Sequence, residues 1–217
     1  MTRNYFDTKP CTVLVGANRR GKYVVFVTFG VKEYSGDEQE CAYTGCICRF
    51  ELMSLDIQEL IASMSKEFIL QASEDELCTL MRTFGVFDNI DAWAALRSFQ
   101  VAAYDVSDNV NSFLFDGQKC WLDKNTRVGL ANMYRLSEQW ADGETPQLWL
   151  GSIPVDVGTA QNALALLSQI EQYALQCYSI TQRHLVAIEN CRKINDLEAL
   201  QRFDITADYP EPIIIKL

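Results

Sequence analysis

Histidine occurs once in this chain of 217 residues, at His184, and proline only five times. With one histidine there is no H-x-H pair, and a Ser–His–Asp or Cys–His arrangement has a single possible base. Long apolar runs are missing as well. The longest are a few residues, far short of the ~20 that a membrane-crossing helix needs. The opening MTRNYFDTKP has no apolar core of the secretory kind, so no signal peptide is expected. The phosphate loop G-x-x-x-x-G-K-[ST], the dinucleotide fingerprint G-x-G-x-x-G, the hydrolase elbow G-x-S-x-G and the zinc-protease H-E-x-x-H do not occur. Positive charge is scarce: 19 Lys and Arg face 29 Asp and Glu, a net charge of −10. Such a surface repels phosphate backbones and anionic lipid, so neither a nucleic acid nor a membrane is an expected partner. The nearest thing to a basic cluster is Arg19-Arg20-Gly21-Lys22, which reads as a turn.

What is present is a folded chain's composition, 48% hydrophobic and 22% charged, with enough length for one large or two small domains. Its organising stretch runs over residues 159–193. Ala163, Leu166, Leu167, Ile170, Tyr173, Ala174, Cys177, Ile180, Thr181, His184, Ile188 and Cys191 recur at helical spacing. Thr159 suits the N-cap and Gly158 the turn before it. At ~1.5 Å per residue the helix is about 50 Å long.

Eight cysteines are present. Without a secretory signal their default state is the reduced thiol. Cys41, Cys46 and Cys48 form the one group close enough to test as a metal site. Cys46 and Cys48 fall in an alternating strand pattern, no second pair completes the set, and the only histidine is far along the chain. They read as small buried hydrophobes, with no metal and no cofactor expected.

In chain order, Thr12–Val15 and Lys22–Tyr34 read as strands joined by a hairpin, with Gly30 marking a bulge or bend. Residues 41–52 read as a third strand, completing a small antiparallel meander. A helix capped by Ser54 is expected to run to Leu70. Ser73-Glu-Asp-Glu76 is a capping box opening a second helix that Gly85 ends, and a third begins within Asp88–Asp91. Residues 105–109 are polar and suggest a domain boundary. Asp116-Gly117 between apolar strands is a strong hairpin signal, because both turn residues take positive φ. Asp123 caps a helix expected to reach about Trp140. A second hairpin turns at Gly151-Ser152, Asn195-Asp-Leu-Glu198 resembles another capping box, and residues 203–217 read as extended. The expected fold class is α+β: an N-terminal antiparallel β-meander with helices over residues 1–105, then a helical domain with short β-hairpins and the long helix 159–193 over residues 110–217.

Reactive constellations are hard to assemble from these residues. His184 lies on the apolar face of the long helix, roughly 10 Å along the axis from Cys177, and reads as a half-buried, hydrogen-bonded side chain. Asp88, Asp91, Glu74, Asp75 and Glu76 sit at helix starts, where they complement the macrodipole. Asp204, Asp208 and Glu211 fit no cation-loop spacing. The expectation is a protein that is not an enzyme. Trp121, Tyr134, Trp140, Trp149, Tyr173, Tyr178, Phe203 and Tyr209 concentrate in the second half, as core or as interface anchors.

Several landmarks of that half occur in a fixed order. They are Val110-Asn-Ser-Phe113, Trp121-Leu-Asp-Lys-Asn-Thr-Arg127, Leu148-Trp149-Leu150, Ala165-Leu-Leu167 and Gln172-Tyr173-Ala174. Cys177-Tyr178, Thr181-x-x-His184, Ile188 and Phe203-Asp-Ile-Thr206-x-x-Tyr209-Pro210 follow. Over about residues 110–217 the chain resembles a domain of unknown function that ends many proteins in the tail modules of bacteriophages and prophages, notably of gut Bacteroides-type hosts. Phe203 stands where that pattern has Tyr. The resemblance implies a setting among tail fibres, baseplates and fibre-assembly factors, and it brings no catalytic residues. It makes the chain a structural or assembly protein of the virion, produced in the host bacterial cytoplasm, with other tail or fibre proteins as partners in a homo- or hetero-oligomer. A non-virion tail-fibre assembly chaperone is the alternative, and a phage accessory enzyme or inhibitor a more distant one. Two candidate features belong to this reading. Ile213, Ile214, Ile215 and Leu217 suit strand addition to a partner sheet, or else cover the chain's own core. Arg127, one turn into its helix, either pairs with a carboxylate such as Asp204 in the closing segment, tying the tail to the domain, or is a plain surface arginine.

Overall fold

The structure is a computed structural model, and it describes residues 3–17, 21–34, 41–136, 147–150 and 153–215. The chain divides into two compact units, Met1–Tyr104 with His184–Ile205 and Asp105–Arg183 with Thr206–Leu217. The expected boundary near residue 105 is there, but the expected assignment of everything from 110 onward to one domain is corrected. The long helix changes units between Arg183 and His184, and residues up to Ile205 pack with the first unit. Hydrophobic periodicity marks which face of a helix is buried; it does not say against what.

In the first unit, strands β1 (Arg3–Phe6), β2 (Val13–Ala17), β3 (Tyr23–Glu33) and β4 (Tyr43–Leu52) form an antiparallel sheet in the order β1-β4-β3-β2. The meander β2–β3–β4 is the expected one, and β1 is added outside β4. Alternation along β3 sends Val25, Val27 and Phe29 inward, where they are fully buried with Phe50 and Leu52 of β4. Gly30 does mark a bulge. Its φ is +66°, and the β3–β4 register shifts between Phe29 and Lys32.

Four helices follow: α1 (Ile57–Ser63), α2 (Lys66–Ile69), α3 (Glu74–Thr83) and α4 (Ile90–Asp105). The single helix expected from Ser54 to Leu70 is two. Asp56 caps α1 through Gln58 N–H, and Met64 leaves the helical region. Ser65 then caps α2 through Phe68 N–H. A serine hydroxyl that satisfies an orphan amide starts a new helix more readily than it continues an old one. Ser73 and Glu76 form the expected capping box, and Asn89 caps α4 by accepting from Ala92 N–H at 3.0 Å. Leu60, Phe68, Leu77, Leu80, Trp93 and Leu96 from these helices share one core with the inward sheet residues.

In the second unit, β5 (Phe113–Phe115) and β6 (Gln118–Cys120) are joined by Asp116 at φ +46° and Gly117 at φ +78°, the paired left-handed geometry of a two-residue hairpin. Asp123 caps α5 (Lys124–Arg135); the stretch in which this helix was expected to reach Trp140 lies outside the described residues. Strands β7 (Leu148–Leu150) and β8 (Ile153–Val155) pair antiparallel, and their turn at Gly151-Ser152 is likewise outside.

Helix α6 (Ala160–Lys193) starts where Thr159 accepts from Asn162 N–H at 3.2 Å. Its C-terminus closes on Asn195 at φ +59°, with Asp196 N–H donating to the Cys191 carbonyl and Asn195 N–H to that of Arg192. The capping box expected from Asn195 is therefore corrected. Asn195 ends α6, and Asp196 caps α7 (Leu197–Gln201). Phe113, Phe115, Tyr134, Leu148, Leu150, Ala163, Leu167 and Ile170 make the core of the second unit. No described helix is long and apolar enough to cross a membrane.

Candidate functional site

Arg127 is a buried arginine one turn into α5. Its Nε donates to Glu171 Oε2 of α6 at 2.6 Å, its Nη1 to the Leu122 carbonyl, and its guanidinium carbon lies 5.2 Å from the Trp121 ring centre. The pairing expected with Asp204 is corrected to Glu171. A cation one turn into a helix finds a carboxylate on whichever helix packs alongside, and spacing in sequence does not rank the acidic residues. Two clefts meet at this pair. One, of about 450 Å³, is lined by Asp105, Asn111, Trp121, Lys124 and Tyr178 as well as the pair itself. The other, of about 420 Å³, is lined by Val128, Ala131, Leu164, Leu167 and again Arg127 and Glu171. Both signs of charge line the first cleft, and two of the arginine's nitrogens, Nε and Nη1, already donate to protein acceptors. The arrangement holds α5 to α6, and a ligand would have to compete for those donors.

Thr181, on the landmark T-x-x-H, has its hydroxyl 2.6 Å from Asp105 Oδ1 and 2.7 Å from the Tyr209 hydroxyl. Donation to the carboxylate leaves the threonine oxygen to accept from the tyrosine. The Tyr209-Pro210 landmark is thereby attached to α6, which carries several of the other landmarks. Tyr173 donates to the Val110 carbonyl at 3.0 Å, linking two more. Two pairs of landmark residues, Thr181 with Tyr209 and Tyr173 with Val110, are thus joined by hydrogen bonds. His184 is buried in the first unit, its ring edge-on to Phe203 at 5.5 Å. It is more enclosed than the half-buried, hydrogen-bonded position expected of it.

The C-terminal isoleucines are used within the chain. β9 (Ile214–Ile215) pairs parallel with β5, and Leu114 N–H donates to the Ile213 carbonyl at 2.9 Å. Ile215 is buried, and Ile214 remains exposed. Strand addition of this segment to a partner sheet is therefore corrected to addition to its own; Leu217 lies outside the described residues. Cys46 and Cys48 stand two apart on β4 and pack against the first unit's core. Burial, with Cys46 nearby, pushes the Cys48 thiol above its ordinary pKa. Burial does the same to Cys177 and Cys120. Asp91 faces Arg192 at 3.7 Å, and Glu74 pairs with Arg97 at 2.7 Å. Among the described residues no three His, Cys, Asp or Glu side chains gather as a ligand set.

Two features were not legible in the sequence. Glu76, read as a capping residue, accepts from the amides of Ser73, Gly30 and Val31 at 2.8, 3.1 and 3.0 Å, so it also holds the β3 bulge. Arg97 reaches Glu74, Gln100 and the carbonyls of Leu200 and Gln201. A charge among Trp93, Leu96 and Val101 was the available signal.

The other feature with a bearing on function is the open face of the first unit's sheet. Leu14 and Phe26 are direct cross-strand neighbours there, 56% and 39% exposed, with Arg49 next in the row and Val24 and Ile47 partly exposed on the same face. No protein-family model, no curated protein and no solved structure matches the chain.

Proposed function

We propose that this chain is an assembly protein of a bacteriophage particle, working in or near the tail, baseplate or tail-fibre attachment site through protein–protein contact. The setting rests on the landmark order of residues 110–217. The mode of action rests on one observation: Leu14 and Phe26 stand uncovered side by side on the open sheet face. Complete burial of a Leu or Phe side chain is worth ~1.5–3 kcal/mol, and a partner gains what these two still leave exposed. Arg49 and Glu51, paired at 2.6 Å on the same face, supply a polar margin.

Mass spectrometry of purified particles tests the reading. The chain is expected among virion proteins at a fixed ratio to the tail components. Absence from particles together with co-purification with fibre subunits would replace it with a transient chaperone. Leu14→Ser with Phe26→Ser is expected to leave the fold intact and to reduce incorporation; unchanged incorporation would move the contact elsewhere.

A further inference from the structure

The geometry points to a second copy of this chain as the occupant of the free edge of β2, paired antiparallel about a two-fold axis through Val15. Thr28 N–H donates to the Thr12 carbonyl at 2.7 Å, and the β2–β3 register pairs Leu14 with Phe26 and Gly16 with Val24. In an antiparallel ladder this alternation turns the amides and carbonyls of Leu14 and Gly16 toward β3. Those of Val13, Val15 and Ala17 are turned outward, along an edge that no described strand occupies.

Proteins commonly blunt such edges with charge, proline or short length. The other sheet edges follow that practice: β1 carries Arg3, β6 carries Lys119, β8 carries Pro154, β7 has three residues and β9 two. β2, Val13-Leu-Val-Gly-Ala17, has none of these devices and is the longest uncharged edge among the described strands.

The strand is also complementary to itself. Centring the pair on Val15 brings all three outward residues into hydrogen-bonded positions, Val15 against its own copy and Val13 against Ala17. The same register sets Leu14 of each copy opposite Gly16 of the other. Gly16 has no side chain, and a Cβ placed there would meet nothing nearer than the Val24 carbonyl at 4.0 Å. The large exposed side chain thus faces an open position. Slipping the pair by two residues would set Leu14 on Leu14 and lose a hydrogen-bonded pair. No charge is brought face to face, which matters for a chain carrying −10 overall. The product is one continuous sheet of eight strands, four from each copy.

This deepens the assembly reading for the same sheet, and the two fail separately. A monomer overturns the pairing and leaves a virion role standing; absence from particles does the reverse. The test is sedimentation equilibrium of the full chain across a concentration series, with hydrogen exchange at both ends of it. A mass of two copies is expected at the high end, with exchange of Val13, Val15 and Ala17 amides slowing as concentration rises. Val15→Pro removes the donor on the axis at an edge position that tolerates proline. It is expected to weaken self-association by roughly tenfold or more. Leu14→Lys, at an exposed position that does not threaten folding, is expected to weaken it comparably. A one-copy mass at every concentration overturns the proposal, as does a dimer that both variants leave unchanged or one whose β2 amides exchange no more slowly than in the monomer.

Discussion

In the first unit the carboxylate of Glu76 is met by three backbone amides, and the guanidinium of Arg97 reaches two backbone carbonyls at the end of α7. In the second unit Arg127 meets one carbonyl and a carboxylate, and Thr181, Asp105 and Tyr209 meet through their side chains. The difference concerns what is left behind when a side chain is removed. A bulge and a short helix end carry peptide groups that no ladder satisfies. If buried, these depend on the side chain that serves them. A side-chain pair can lose a member and leave its partner room to turn toward water.

The contrast predicts an order of losses. Glu76→Ala should cost most, about 3–5 kcal/mol, because the amides of Gly30, Val31 and Ser73 lose their acceptor together. Denaturant unfolding read by hydrogen exchange over residues 24–34 would show it, and a loss below 1 kcal/mol would remove the bulge from the account. Arg97→Met should follow at about 3 kcal/mol, with exchange quickening in α7. Glu74 is well exposed and can turn to water, whereas the buried carbonyl of Leu200 cannot. Arg127→Met should cost less, about 1–2 kcal/mol, since methionine keeps the stem beside Trp121 and Glu171 is partly exposed. If this loss equalled that of Glu76→Ala, the distinction between backbone-directed and side-chain-directed anchors would fail.

The smallest effect is a pH dependence confined to the second unit. The Thr126 hydroxyl, followed by its amide, holds the Asp123 carboxyl below its ordinary pKa. A lowered folded value favours folding wherever the group is ionised. The contribution is complete above the ordinary carboxylate range and is lost as pH falls through the lowered value. Protection of α5 amides should therefore decline on acidification in the wild-type chain and decline less in Asp123→Asn, which keeps a capping oxygen without the titration. Equal decline in both would assign the effect to other carboxylates.

Local chemistry was legible where neighbours in sequence are also neighbours in space. Ser73 with Glu76, Asp116-Gly117, Thr159 and Asp123 each act within a few residues, and each stands where its pattern placed it. Ser54 and Asn195 show the limit of that logic: two capping residues close together leave the choice to the chain's route. Asp56 won the first contest and Asp196 the second. The candidate site was less legible. Arg127 was singled out, but its partner lies 44 residues away and was picked by helix packing. The C-terminal isoleucines were read as an added strand, and only the fold shows that β5 receives it.

By itself the sequence determined the α+β class, the meander β2–β3–β4 and the span and cap of the long helix. Periodicity, turn residues and capping side chains all act over a few residues, and their energies do not wait for the rest of the chain. Tertiary structure decided that this helix serves two units, that β1 joins β4, and that Glu76 holds a bulge 45 residues earlier in the chain. It also decided that Arg127 takes Glu171. Those outcomes depend on which buried groups lack a partner once the core has closed, and packing alone creates that condition.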